Sequence, residues 1–228
     1  MRRFKIKIIV EGNEEETFFE VVKTVGTHKN FDLEVENACG FGNISDFLLL
    51  SLREGDSFDA AICVYDVDDR VGEKGSPYSI VRRQLLSIFG DEAVVDAISF
   101  CTNPNILQYF LLAADSLDEI ALKSTSKKAN TALIHKYWPN IGKEGTNSLK
   151  GGAKYYYDAN HWQLALLKES IIYETYPYDK LLENASSLSL DYKNKLPAGN
   201  LYPLLVALKN GNQEFFEAIQ SKINEPAF

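Results

Sequence analysis

Phe4-Lys-Ile-Lys-Ile-Ile-Val10 runs directly into Glu11-Gly-Asn-Glu-Glu-Glu16, and the join between the two decides the fold. The first stretch is an apolar-rich run, the pattern of a strand covered by other elements. Beyond it the apolar spacing changes. Phe18, Phe19, Val21, Val22 and Val25 fit one side of a helix predicted over 14–25. The opening acids, Glu14 to Glu16, suit the positive end of that helix's dipole.

The same join recurs along the chain. Leu33 and Val35 alternate with acids, as in a half-exposed strand, and Gly40-Phe-Gly42 makes a turn. Ser45 can cap a helix running to about Leu52, with Asp46 in its first turn. Asp59-Ala-Ala-Ile-Cys-Val-Tyr65 reads as a second buried strand and ends in Asp66-Val-Asp68-Asp69. A polar loop with Gly72, Gly75 and Pro77 then precedes an amphipathic helix over 79–89. Ala93 to Cys101 reads as another buried strand. Asn103-Pro104 opens a helix through Ala113, with proline where no amide donor is needed. This order predicts an α/β fold with a mainly parallel sheet flanked by helices. From residue 114 onward the pattern is largely helical, with helices near 116–123, 126–137, 158–174, 178–186, 201–209 and 212–224. The chain therefore divides into an α/β unit at 1–113 and a mostly helical extension at 114–228, whether a separate domain or part of one globule.

Composition narrows the class. With 45% hydrophobic and 25% charged residues in 228, the chain can bury an ordinary globular core. No apolar run reaches the roughly 20 residues that span a bilayer. The start, Met-Arg-Arg, leads into a strand and not into a signal-peptide core. Cys39, Cys63 and Cys101 are odd in number and widely spaced. These features predict a reduced, cytoplasmic protein without a cysteine zinc site.

Carboxylates carry the chemistry. Glu11, Asp66 and Asp68 sit at carboxyl ends of predicted strands, where parallel sheets bind ligands. Mg²⁺ or Mn²⁺ takes hard oxygen donors, and Mg²⁺ needs them near 2.1 Å in octahedral array with several waters retained. Asp69 adjoins the pair, to join it or to cap the next turn. Aspartates after strands also cap turns without any ion, and that plain reading stands beside the metal one. Glu11 could ligate a cation, act as a general acid or base, or remain a solvated strand-end acid. Gly12 could allow a tight turn and a close backbone approach to phosphate. Glu15, one turn into its helix, either faces the same crevice or lies on the helix surface.

A second charge feature opposes the first. Residues 120–157 hold seven lysines and one acid, a local net +6 in a chain of net −8. Lys123, Lys127, Lys128, Lys150 and Lys154 interleave there with Tyr137, Trp138 and Tyr155-Tyr156-Tyr157. Cations with aromatics suit nucleic acid, through backbone charge and base stacking. A solvated face over core aromatics is the bland alternative. His28, His135 and His161 form no ligand spacing, and neither a Walker loop nor a Gly-x-Ser-x-Gly elbow occurs.

Ile-Ile-Val-Glu11-Gly12-Asn-Glu-Glu15, followed by Tyr-Asp66-Val-Asp68-Asp69, resembles the TOPRIM domain over residues 4–113. Within that group the chain looks most like RloB-like proteins, which are associated with bacterial restriction and abortive-infection loci. Phe18-Phe19 and the segment Thr102-Asn103-Pro104-Asn105 through Tyr109-Phe110-Leu111-Leu112 extend the likeness. One departure is Leu107-Gln108, where such proteins carry a glutamate. The resemblance implies a Mg²⁺-dependent nuclease acting on DNA or RNA in phage defence, with a partner protein from the same operon. It assigns Asp66 and Asp68 to the ion, Asp69 as an assistant, and Glu11 as ligand or general acid/base. Two other readings stay open: a non-catalytic metal- or nucleic-acid-binding subunit, and a glycosyl- or phosphotransferase built on the Asp-x-Asp.

Overall fold

The computed structural model describes residues 2–53, 58–67, 75–102, 105–111, 128–129, 132, 178–183, 185 and 200–224. Four parallel strands form the sheet: β1 (Phe4–Val10), β2 (Phe31–Asn37), β3 (Ala60–Asp66) and β4 (Ser99–Thr102). Their order is β2-β1-β3-β4. Helices among the described residues include α1 (Asn13–Val21), α2 (Ile44–Arg53), α3 (Pro77–Phe89), α4 (Glu92–Ile98), α5 (Leu107–Leu111), α6 (Leu201–Asn210) and α7 (Gln213–Asn224). The mainly parallel α/β sheet expected from the sequence is present. Among the described residues no helix is long and apolar enough to cross a membrane.

β3 is buried along its whole length, as a central strand covered on both faces must be. One face carries Phe4, Phe31 and Phe100. Phe216 of α7 packs on the first two, with ring centroids 6.2 and 5.3 Å away, and Phe215 lies 6.3 Å from Phe100. α1 and α6 lie against the same core, with Phe18, Phe19, Leu204 and Leu208 fully buried. α2 and α3 pack side by side against the central strands from the other face. The helices of 201–224 thus share one hydrophobic cluster with the sheet.

Several boundaries depart from the sequence reading, among them the helix expected from Asn103, which begins at Leu107. The run expected as a strand from Ala93 to Cys101 is α4 followed by a four-residue strand. Asp91 caps that helix by accepting the Ala93 N–H at 2.7 Å, and Val94, Val95 and Ile98 are buried. Ser45 lies inside α2 and does not cap it; a single 3₁₀ turn at Phe41–Asn43 leads in instead. α1 stops at Val21 and gives way to a π-helical turn, Val22–Gly26. α3 begins two residues early, because Ser76 caps it and Pro77 suits its first turn.

Two charged or polar side chains close weak points of the sheet. Lys7 sits inside β1, and its ammonium pairs with Glu34 at 2.5 Å and Glu36 at 2.8 Å on β2. Its Nζ also lies 4.9 Å from the Phe58 ring centroid. Burial alone would lower the Lys7 pKa, but the two glutamates outweigh it and hold it above the usual lysine value. At the opposite margin, Asn200 acts as a surrogate strand. Its Oδ1 accepts the Cys101 N–H at 2.8 Å and its Nδ2 donates to the Ser99 carbonyl at 3.1 Å. Both ends of the carboxamide thus occupy backbone groups that an edge strand would otherwise leave unpaired.

The C-terminal helices dock through two glycines. Gly211 ends α6 at φ +67, and a Cβ there would meet His28 Nδ1 at 2.7 Å. At Gly26 a Cβ would meet the Tyr178 ring at 2.4 Å. Gly26→Ala is expected to cost about 1–3 kcal/mol through overpacking against a rigid ring, measured by urea denaturation. Lys7→Met keeps the apolar stem and is expected to change stability at pH 7 by less than about 1 kcal/mol. Because the folded pKa of Lys7 is raised, the pairing contributes fully below its unfolded value of 10.5 and is lost as pH rises through the folded value. The wild type should therefore lose its advantage over Lys7→Met in denaturation curves taken at rising alkaline pH.

Candidate metal centre

Parallel pairing brings the ends of β1 and β3 side by side, with Val10 opposite Val64. β1 connects outward to β2, and β3 connects the other way to β4, so the sheet changes direction between these two strands. Such a switch point opens a crevice at the carboxyl ends. Glu11 and Asp66 stand on its two sides.

Asp66 is 2% exposed, so its carboxylate must be held by donors. Thr102 Oγ1 on β4 donates to Asp66 Oδ1 at 2.5 Å, and the Ile106 N–H just before α5 donates to the same oxygen at 2.9 Å. From the other side, the Asp66 N–H donates to Glu11 Oε2 at 3.1 Å. Glu11 is in turn fixed by its own backbone. Its N–H donates to the Val64 carbonyl at 3.2 Å, and its carbonyl accepts the Gly40 N–H at 2.7 Å.

α1 starts at this crevice. Glu15 at its third position is 3% exposed and accepts the Gly12 N–H at 2.9 Å, half of a capping box. Glu14 precedes it in the first turn, where the helix dipole favours negative charge. Carboxylate oxygens of Glu14, Glu15 and Asp66 all lie within 4.8 Å of one another. This buried acidic triad could hold a metal ion. Its donors are hard carboxylate oxygens, the kind that Mg²⁺, Mn²⁺ and Ca²⁺ take. Asn37 braces the outer wall, donating from Nδ2 to Asn13 Oδ1 at 2.8 Å and to Glu16 Oε2 at 2.9 Å.

Of the sequence-derived candidates, Glu11 and Asp66 come together. Glu15 faces the crevice and not the helix surface. Glu14 is a member of the triad that the sequence reading valued only for its helix-dipole position. Three acids, Glu14 to Glu16, share the first turn, and nothing in the local sequence says which of them faces the strand end. Gly12 has φ −158, an extended backbone open to any residue, so no tight turn demands glycine there. Asp68, Asp69, Lys123, Lys127, Lys150 and Lys154 lie outside the described residues. Lys128 is described and exposed. Cys63 and Cys101 are buried, as strand thiols should be, and burial pushes the Cys63 pKa up, which keeps that thiol inert.

Comparison with known family models, curated proteins and solved structures finds no match to this chain.

A cation bound at this triad would stabilise the fold by mass action, by about 2.7 kcal/mol at a hundredfold excess over Kd. Added Mg²⁺ or Mn²⁺ is expected to raise the thermal midpoint of the wild type. Asp66→Asn retains an acceptor for Thr102 and Ile106 and should fold, while losing most of that metal-induced rise. Differential scanning calorimetry with and without metal checks both.

Proposed function

We propose that the chain is a divalent-metal-dependent phosphodiesterase of TOPRIM type that cleaves DNA or RNA. The observation that carries this reading is the convergence of Glu11 and the Glu14, Glu15 and Asp66 triad at the switch point of a parallel sheet. In it Glu14, Glu15 and Asp66 would hold Mg²⁺ or Mn²⁺, with Asp68 and Asp69 adjoining in sequence. The ion would supply stabilisation of charge building on a phosphoryl group. Thr102 and the Ile106 N–H orient Asp66 as outer partners orient metal ligands. Glu11, anchored by the Asp66 N–H, is the group nearest in role to a general base for an attacking water. The lysines of 123–154 would track the phosphate backbone, and a role in phage defence follows from the RloB-like resemblance alone.

One observation favours a second reading. Gln108 is 2% exposed on α5 and neutral, where the resembled proteins carry a glutamate. A site short of one carboxylate would bind its ion more weakly and suit a non-catalytic, nucleic-acid-binding subunit. The two readings part on turnover. The purified chain is expected to cut single- or double-stranded DNA or RNA with Mg²⁺ or Mn²⁺ and to stop on chelation. Asp66→Asn should lower the rate by at least about 10²-fold, and Glu11→Gln by about 10²–10⁴-fold if it moves a proton. Nucleic acid retained but left uncut with either metal would decide for the non-catalytic subunit.

A further inference from the structure

The buried neighbour of Asp66 on β3, Tyr65, borders a different space. Successive side chains of a strand point to opposite faces. Tyr65 therefore faces away from the carboxylates, into a pocket of about 270 Å³ walled by Tyr65, Tyr78, Arg82, Asp96, Ser99 and Asn200. Pockets for small molecules run to roughly 300–1,000 Å³. This pocket lies just under that range and matches a single ring system with a sugar.

Its walls divide by role. Ser99 Oγ donates to the Val95 carbonyl at 2.8 Å, and Asn200 is spent on the β4 backbone. Those groups build the pocket. The Tyr78 ring gives it aromatic surface and is backed by the buried Tyr65 ring, 6.3 Å away at 37°. Burial raises the pKa of both tyrosines, so their hydroxyls stay protonated at neutral pH. On one wall, Arg82 of α3 pairs with Asp96 of α4 and lies over the Tyr78 ring at 5.8 Å. Asp96 keeps 63% of its side chain exposed, while Arg82 keeps 20%. A guanidinium and a carboxylate thus stand side by side beside an aromatic ring in the lining of a base-sized space.

That arrangement has a specific complement. Arginine donates to ring carbonyl oxygens, and a carboxylate accepts from exocyclic and ring N–H groups. Among the four RNA bases, guanine alone carries an acceptor followed by two adjacent donors on one edge. Its O6 would take Arg82, its N1–H and N2–H₂ would take Asp96, and its plane would lie against the Tyr78 ring face that Arg82 leaves open. We propose that this pocket binds one guanine base, either as a free nucleoside or as a base turned out of a nucleic-acid strand. The proposal is independent of the metal centre and can be tested without metal.

The experiment titrates the full chain in chelator with guanosine, inosine, adenosine and a uridine oligomer holding one guanosine, read by saturation-transfer NMR and tyrosine fluorescence. Saturable guanosine binding at millimolar concentration or below is expected. Inosine, which lacks the N2 amino group, should bind several-fold more weakly. Asp96→Asn changes an exposed group and should keep the unfolding midpoint, yet weaken guanosine by about tenfold or more and remove the preference over inosine. Tighter binding of the oligomer would assign the pocket to a strand, and equal binding to the free nucleoside. Absence of saturable guanosine binding, parity of guanosine with inosine in the wild type, or unchanged affinity in a folded Asp96→Asn would each overturn the assignment.

Discussion

A carboxylate buried at the end of a central strand has to be held from several sides, and Asp66 sets that requirement for this fold. Its Oδ1 draws in β4 through Thr102 and the start of α5 through Ile106. Its N–H draws in Glu11 at the end of β1. Three separate connections are thereby tied to one residue. An unmet charge at 2% exposure costs several kcal/mol, more than any one of these hydrogen bonds returns. Burying that carboxylate costs stability that the surrounding core must cover.

The rest of the sheet offsets that cost by conventional means. The β3 side chains are buried throughout, and β1 contributes Ile6, Ile8, Ile9 and Val10 with no exposure at all. The two margins are treated differently. On the β1–β2 side, Lys7 spans to Glu34 and Glu36 and places a charge where an apolar residue would leave the acids of β2 unbalanced. On the β4 side, one asparagine from the start of α6 closes the backbone. Because Asn200 also walls the Tyr78–Arg82 pocket, the device that finishes the sheet also shapes the pocket.

Much of this was legible from local pattern. The apolar runs at 4–10 and 59–65 gave the central pair of strands, and the placing of Glu11 and Asp66 after them gave the crevice. α4 was misread because Val94-Val95 and Ile98 are β-branched and fit a buried strand as well as a helix. The Asp91 cap was the signal that separates the two. Glu15 was only half legible: its place one turn into the helix leaves crevice and helix surface equally open, and it is the bond from the Gly12 N–H that turns it to the strand end. Glu14 was not, because which first-turn acid faces the strand depends on how α1 sits on the sheet. Asn200 was beyond local reading altogether. It lies 99 residues from Cys101, and nothing near it in sequence marks a strand partner.

The alternation of a strand links the two cavities more closely than their separate chemistry suggests. Tyr65 and Asp66 are consecutive, so a shift that repositions one carries the other through a single rigid peptide. Asp66 is tethered to β4 and α5, and Tyr65 is packed against α3 across the opposite face. The end of β3 is thus clamped from both layers of helices. A ligand at either cavity therefore meets a strand end that the fold has already fixed, and neither has to order β3 in order to bind.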